Sequence, residues 1–142
     1  MKILFVNGPN LNMLVIREPN IYGRQTYAEL ETYIYDFCRE LGVECHIYQS
    51  NHEGDLVDAI QSACGRMDGI VINPAAYTHT SVAVLDALKA VGLPAVEVHL
   101  SDVTKREDFR QISYVRMACE ATFMGFGFSS YRKAVEFLLE NH

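Results

Sequence analysis

Residues 69–88 read GIVINPAAYTHTSVAVLDAL. The run from Gly69 to Ile72 is apolar and β-branched, the pattern of a strand buried on both faces of a parallel sheet. Asn73 and Pro74 break that run. Thr80 can then cap a helix in which Val84, Leu85, Leu88 and Val91 recur at helical spacing until Gly92 stops it. A buried strand, a polar turn and an amphipathic helix in direct succession make half of a βαβ unit.

The same alternation extends in both directions. "KILFV" at 2–6, "ECHIYQ" at 44–49, "AVEVHL" at 95–100 and "ATFMGFG" at 121–127 are further strand candidates, most of them expected to be buried. Thr26 and Glu29 have capping-box spacing before Leu30, Ile34, Phe37 and Leu41, with Gly42 as the stop. Ser50 and Glu53 repeat that spacing before Leu56, Ile60 and Cys64, with Gly65 beyond them. A last helix begins near Ser130 and carries Ala134, Val135, Leu138 and Leu139. Right-handed crossovers turn this order into one α/β domain over residues 1–142. Five strands at this length favour a flavodoxin-like, doubly wound parallel sheet in the order 2-1-3-4-5.

Composition narrows the class. Hydrophobic residues at 49% and charged residues at 21% describe an ordinary globular protein, long enough to bury a core without a metal or disulfide staple. A net charge of −6, with the basic residues scattered, argues against nucleic acid as a partner. Cys38, Cys45, Cys64 and Cys119 form no CxxC pair and have no histidine at metal spacing, so they read as reduced, buried thiols of a cytoplasmic protein. The apolar opening "MKILFV" is cut by Asn7, Gly8 and Pro9 before a signal sequence can form, and no run is long enough for a membrane span.

In doubly wound sheets, ligands bind beyond the carboxyl ends of the strands, where strands one and three diverge. Strand one runs into "NGPNLN", strand three into "NPAAYTHTS" and strand four into "HLSD", so polar groups converge on that edge. Glu97 and His99 share one face of an otherwise apolar strand. An ionised carboxylate there needs a partner, and the imidazole two residues on is the economical one. The pair is either a proton donor held by its carboxylate or an ordinary satisfied core pair. His79 stands just before a helix N-terminus, a natural place for an anion or hydroxyl.

The stretch at about 13–25, including "REPNIYG" at 17–23, has neither helical nor strand period and is longer than a simple connection requires. It reads as a lid carrying Arg17 and Tyr22. A tyrosine acts as base near neutral pH only if roughly 4 kcal/mol of differential stabilisation favours its phenolate. Either Arg17 or Arg110 could supply the charge.

Taken together, "GPNLNMLVIREPNIYG", "QSNHEGDLVDAI", "VINPAAYTHTSVAVLDAL", "VEVHLSD", "REDFRQISY" and "GFG" resemble the type II 3-dehydroquinate dehydratase family over nearly the whole chain. The resemblance implies a lyase of the shikimate pathway that dehydrates 3-dehydroquinate to 3-dehydroshikimate through an enolate, with no metal or organic cofactor. It also implies a homododecamer, a tetramer of trimers. Matched residue by residue, it makes Tyr22 the base, Arg17 its activator, His99 the acid, Glu97 the group that orients His99, and Asn10 a residue acting through water on the enolate oxygen. Asn73, His79, Asp86, Leu100, Ser101 and Arg110 match substrate-binding positions. Departures are Val15 and Ala75 in place of glycine, Asp102 in place of asparagine, Thr104 and Gln111 in place of histidine, and "VRMACEA" after Tyr114. Of these, Asp102 is expected to bring a negative charge beside the site, and Val15 to bear on closure of the lid.

Rival chemistries fit less well. A phosphoryl-receiver domain needs carboxylates where Asn7 and Asn73 stand, a flavin carrier wants hydroxyls where "GPNLN" has none, and no lysine looks buried enough for a Schiff base.

Overall fold

The structure, a computed structural model, describes residues 1–14 and 25–142. Among these residues, β1 (Lys2–Asn7), β2 (Glu44–Gln49), β3 (Gly69–Asn73), β4 (Ala95–His99) and β5 (Ala121–Met124) pair in parallel in the order β2-β1-β3-β4-β5. The longer helices are α1 (Tyr27–Leu41), α2 (Glu53–Ser62), α3 (Val82–Val91) and α4 (Ser129–Asn141). The expected α/β class and strand order are therefore those observed. Most of the expected lid, with Arg17 and Tyr22, lies outside the described residues, whereas Leu11–Met13 form a short 3-10 helix and Leu14 is buried.

Strand alternation divides the core into two layers. Ile3, Phe5, Val71, Val96 and Val98 face α1 and α4, where Ile34, Phe37, Tyr131 and Leu138 meet them. Leu4, Val6, Ile70 and Ile72 face α2 and α3, against Leu56, Ile60, Val84 and Leu88. β1, β3 and β4 are buried apart from Lys2, as the apolar runs predict. β2 instead alternates exposed and half-buried positions, because it is an edge strand with a neighbour on one side only. Cys64 is likewise exposed rather than buried, since it follows the end of α2 instead of facing the core.

Helix starts follow the local hydrogen bonds. Thr26 caps α1 by accepting from the Glu29 N–H at 3.1 Å, and Gly42 closes that helix in the left-handed region at φ 71°. At α3 the cap is Ser81, not Thr80: its Oγ accepts from the Val84 N–H at 2.9 Å. Thr80 is occupied in closing the preceding 3-10 turn, with its N–H on the Tyr77 carbonyl. Ser50 does not form a capping box with Glu53. It accepts from the His52 N–H at 3.0 Å and donates to Asp55 at 2.8 Å, fixing the loop just before α2.

The loops after β1 and β3 touch. The Gly8 N–H donates to the Asn73 carbonyl at 2.8 Å, and a Cβ on Gly8 would stand 2.5 Å from the Pro74 carbonyl oxygen. Only glycine permits this approach without moving backbone. Gly8→Ala is expected to destabilise the protein by about 2 kcal/mol or more, an overpacking cost that chemical denaturation would measure.

Candidate active site

The loops that follow β1, β3 and β4 enclose a cleft at the carboxyl edge of the sheet. Its described lining includes Asn10, Asn73, His79, His99, Leu100, Ser101 and Arg110, all expected there, and Arg106, which sequence reasoning left unassigned. Asp86 is not among them. It stands on the exposed face of α3, because its neighbours Leu85 and Ala87 take the buried positions.

Backbone geometry aims the first two loops. Asn10 adopts the left-handed region at φ 69°, a conformation asparagine tolerates, and its N–H donates to Asn51 Oδ1 at 3.0 Å. Ala75 is also left-handed, at φ 53°. The Asn73 side chain supports that turn by accepting from the Ala75 N–H at 3.2 Å. Alanine pays for this conformation with roughly 1–2 kcal/mol of strain, which explains why glycine suits the position.

Asn73 is held at its other end as well. Its Nδ2 donates to the Tyr131 hydroxyl at 3.0 Å, and that hydroxyl donates to Asn7 Oδ1 at 2.7 Å. Asn7 Nδ2 then donates to the Tyr27 hydroxyl at 3.3 Å. Asn7 and Asn73 are register partners at the ends of β1 and β3, and Tyr131 is fully buried between α4 and the sheet. Burial pushes the Tyr131 phenol far above its ordinary range, so it is a fixed neutral bridge.

Glu97 is fully buried on the α2/α3 face of β4, where its neighbours are otherwise apolar. Burial opposes its ionisation, but hydrogen bonds from His99, Ser113 and Arg116 overcome that and hold its pKa at about 2. His99 Nε2 lies 3.0 Å from Oε2, Arg116 donates to the same oxygen at 2.8 Å, and Ser113 Oγ donates to Oε1 at 2.5 Å. The His99 ring thus donates through Nε2 and keeps Nδ1 as the nitrogen not engaged by Glu97. Ser113 and Arg116 were missed from sequence; the one signal was that a buried carboxylate demands more than one donor.

His79 Nδ1 meets the Ile112 carbonyl at 2.7 Å, which makes Nδ1 the donor and leaves Nε2 as an acceptor. Desolvation is the main cause lowering its pKa, with His99 and Arg110 adding to it, so the neutral ring is favoured. Arg110 Nε pairs with Glu107 at 2.7 Å, which orients the guanidinium while its terminal nitrogens remain for an anion. The cleft can therefore bind an anion at Arg110, offer neutral donors and acceptors beside it, and hold a protonatable ring over a fixed carboxylate.

Two departures from the family pattern pair with each other, and a third braces the segment that follows them. Asp102 turns its carboxylate onto Thr104, accepting from the N–H at 3.0 Å and from the hydroxyl at 2.5 Å. Both bonds favour the ionised form, so the expected charge stays beside the site with its direction fixed by Thr104, and Asp102 lines a neighbouring pocket that shares Leu100, Ser101 and Arg106 with the cleft. Gln111 Nε2 donates to the carbonyls of Arg106 and Glu107 at 3.2 and 3.3 Å, stitching together the segment that carries both arginines.

The chain matches the family described as Dehydroquinase class II over residues 1–139. A 3-dehydroquinate dehydratase of Carboxydothermus hydrogenoformans is 53% identical over 140 residues, covering 99% of this chain and 91% of the relative. A catabolic 3-dehydroquinase 1 of Aspergillus terreus is 51% identical, covering 98% and 91%. The crystal structure of a type II dehydroquinase from Butyrivibrio crossotus is similar with a TM-score of 0.96 at 48% identity, covering 98% of this chain and 97% of that one.

Two substitutions check the geometry. Ala75→Gly should raise stability by about 0.5–1 kcal/mol, the strain relieved less the extra freedom of glycine in the unfolded chain, read as an increase in Tm. Tyr131→Phe strands a buried amide N–H and a buried amide carbonyl together and should cost about 2–4 kcal/mol in denaturant unfolding. A loss below about 1 kcal/mol would mean the amides find other partners.

Proposed function

The chain belongs to the class II dehydroquinase family, and on that footing we propose that it dehydrates 3-dehydroquinate to 3-dehydroshikimate through an enolate. The observation that carries this reading for the present chain is the His99–Glu97 pair, buried beside Arg110 in one cleft. An acid, an anion clamp and neutral polar groups are the requirements for removing water from a hydroxylated carboxylate.

In this proposal Arg110 pairs the substrate carboxylate. Asn73, His79 and the Leu100–Ser101 segment hold the ring and its hydroxyls. Tyr22, with its phenolate stabilised by Arg17, removes the proton alpha to the ketone. Charge moves onto the carbonyl oxygen, where Asn10 acts through water. The enolate re-forms the ketone as the carbon–oxygen bond of the leaving hydroxyl breaks, and His99 delivers a proton to that oxygen. One proton is taken at carbon and one is given at oxygen, so the net product is water and a conjugated enone. Arg17 and Tyr22 lie outside the described residues, and their roles rest on residue chemistry and the family.

The route calls for neither metal nor organic cofactor. A place in the shikimate pathway, a cytoplasmic location and assembly as a homododecamer of trimers belong to the same proposal and rest on family membership. No described helix is long and apolar enough to cross a membrane.

The test is an absorbance assay for the enone. Wild-type protein should convert 3-dehydroquinate, while Tyr22→Phe and His99→Ala should each lose about 10²–10⁴-fold in kcat, the range general acid–base groups contribute. Undiminished turnover in Tyr22→Phe would overturn the assignment of the base. Borohydride added with substrate should leave no covalent adduct, because no lysine imine forms.

A further inference from the structure

Arg116 lies on the 3-10 helix Val115–Ala118 and takes no part in the chemistry above. It reaches back to β4 and donates to Glu97 Oε2 at 2.8 Å, the oxygen that His99 Nε2 meets at 3.0 Å. Its Nε is fixed separately by Thr122 Oγ1 on β5 at 3.1 Å. The guanidinium is thus clamped at two points, with its side chain 40% exposed and Glu97 at 0%. A carboxylate that meets only an imidazole places its whole field on that ring. Here the same oxygen is shared with a permanent cation.

We infer that Arg116 is a positioning residue for the reaction, acting on His99 through Glu97 by drawing off part of the carboxylate's charge, so that His99 gives up its proton more readily. The inference rests on the reading of His99 as the acid.

The surroundings supply no other group that does this among the described residues. Ser113 donates to the far oxygen, Oε1, and carries no charge. Cys119, pushed up to about 12 by burial, stays neutral beside Glu97 and Arg116. On the cleft side His79 is favoured neutral, and Arg110 is paired with Glu107. Arg106 lies near that same glutamate, at 3.9 Å. Glu120 bears on Cys119 and is paired with His142 at 2.8 Å. The charge on Glu97 Oε2 is therefore divided between His99 and Arg116.

The experiment compares Arg116→Gln, which keeps an N–H donor for Glu97 but removes the charge, with Arg116→Lys, which keeps the charge. NMR of protein labelled at histidine Cε1, with His99→Gln for assignment, follows ring protonation directly. In Arg116→Gln the His99 titration midpoint should move to higher pH by about one unit, a tenfold tighter hold on the proton, the low end for a like charge at such range because Arg116 is part-exposed. Arg116→Lys should restore the wild-type midpoint. An unmoved midpoint in Arg116→Gln, or an equal shift in Arg116→Lys, would overturn the inference. The pH profile of kcat in the enone assay separates the two readings. If the high-pH limb follows the NMR midpoint, both stand; if the midpoint moves and the limb does not, Arg116 keeps its effect on His99 and it is the assignment of His99 as the acid that fails.

Discussion

A single buried negative charge organises this end of the molecule. Glu97 occupies a core position on β4, and ionised carboxylates survive there only with nearly all of their lone pairs engaged. That requirement draws Ser113 and Arg116 down from the segment leading to β5 and holds the His99 ring against the strand. The irregular stretch between β4 and β5 thereby becomes a lid on the lower core as well as the wall of the cleft. Its second half is pinned to the core by one neutral and one charged donor on the same carboxylate.

The second constraint is the close approach of the loops that leave β1 and β3. Gly8 allows backbone to meet backbone, and Asn7 and Asn73 then lie side by side with Tyr131 beneath them. Where a receiver domain would carry carboxylates, two amides sit instead. They cross-link the strands without introducing charge, and this leaves the cleft free to receive an anion at Arg110. The topological switch point is the same as in other doubly wound sheets; the chemistry is set by what caps it.

Much of this was legible beforehand for identifiable reasons. Apolar runs bounded by polar turns gave the strands, since parallel sheets bury both faces of their inner strands, and the number of strands and their alternation with helices gave the order by fold type. The spacing of Glu97 and His99 on one face placed both side chains correctly, because strand period is rigid. What escaped notice depended on geometry between segments. Arg116 and Ser113 lie on a stretch with no period, so nothing local points them at Glu97. Ser81 takes the cap from Thr80 because it, and not Thr80, stands directly before Val82 with the extended backbone an N-cap needs, Thr80 being the end of the 3-10 turn. Asp102 is the added charge its position suggests, but where its carboxylate turns is set by hydrogen bonds to Thr104 that no local pattern announces. Asp86 matched a motif yet stands exposed on α3, outside the described lining of this chain's cleft, since motif matching records spacing and not position.

The row of bonds from Asn73 through Tyr131 and Asn7 to Tyr27 has a fixed sense. The Ala75 N–H sets which end of the Asn73 amide is oxygen, the Asn73 N–H occupies a lone pair on Tyr131, and the Tyr131 proton is committed to Asn7. Relays that carry protons must be able to reverse every link, and amides at two joints prevent that. Glu97, with its pKa held at about 2, is no better as a carrier. Among the described residues, then, the interior behind the cleft is insulating with respect to protons, and any proton the cleft gives up or takes in is exchanged on its solvent side.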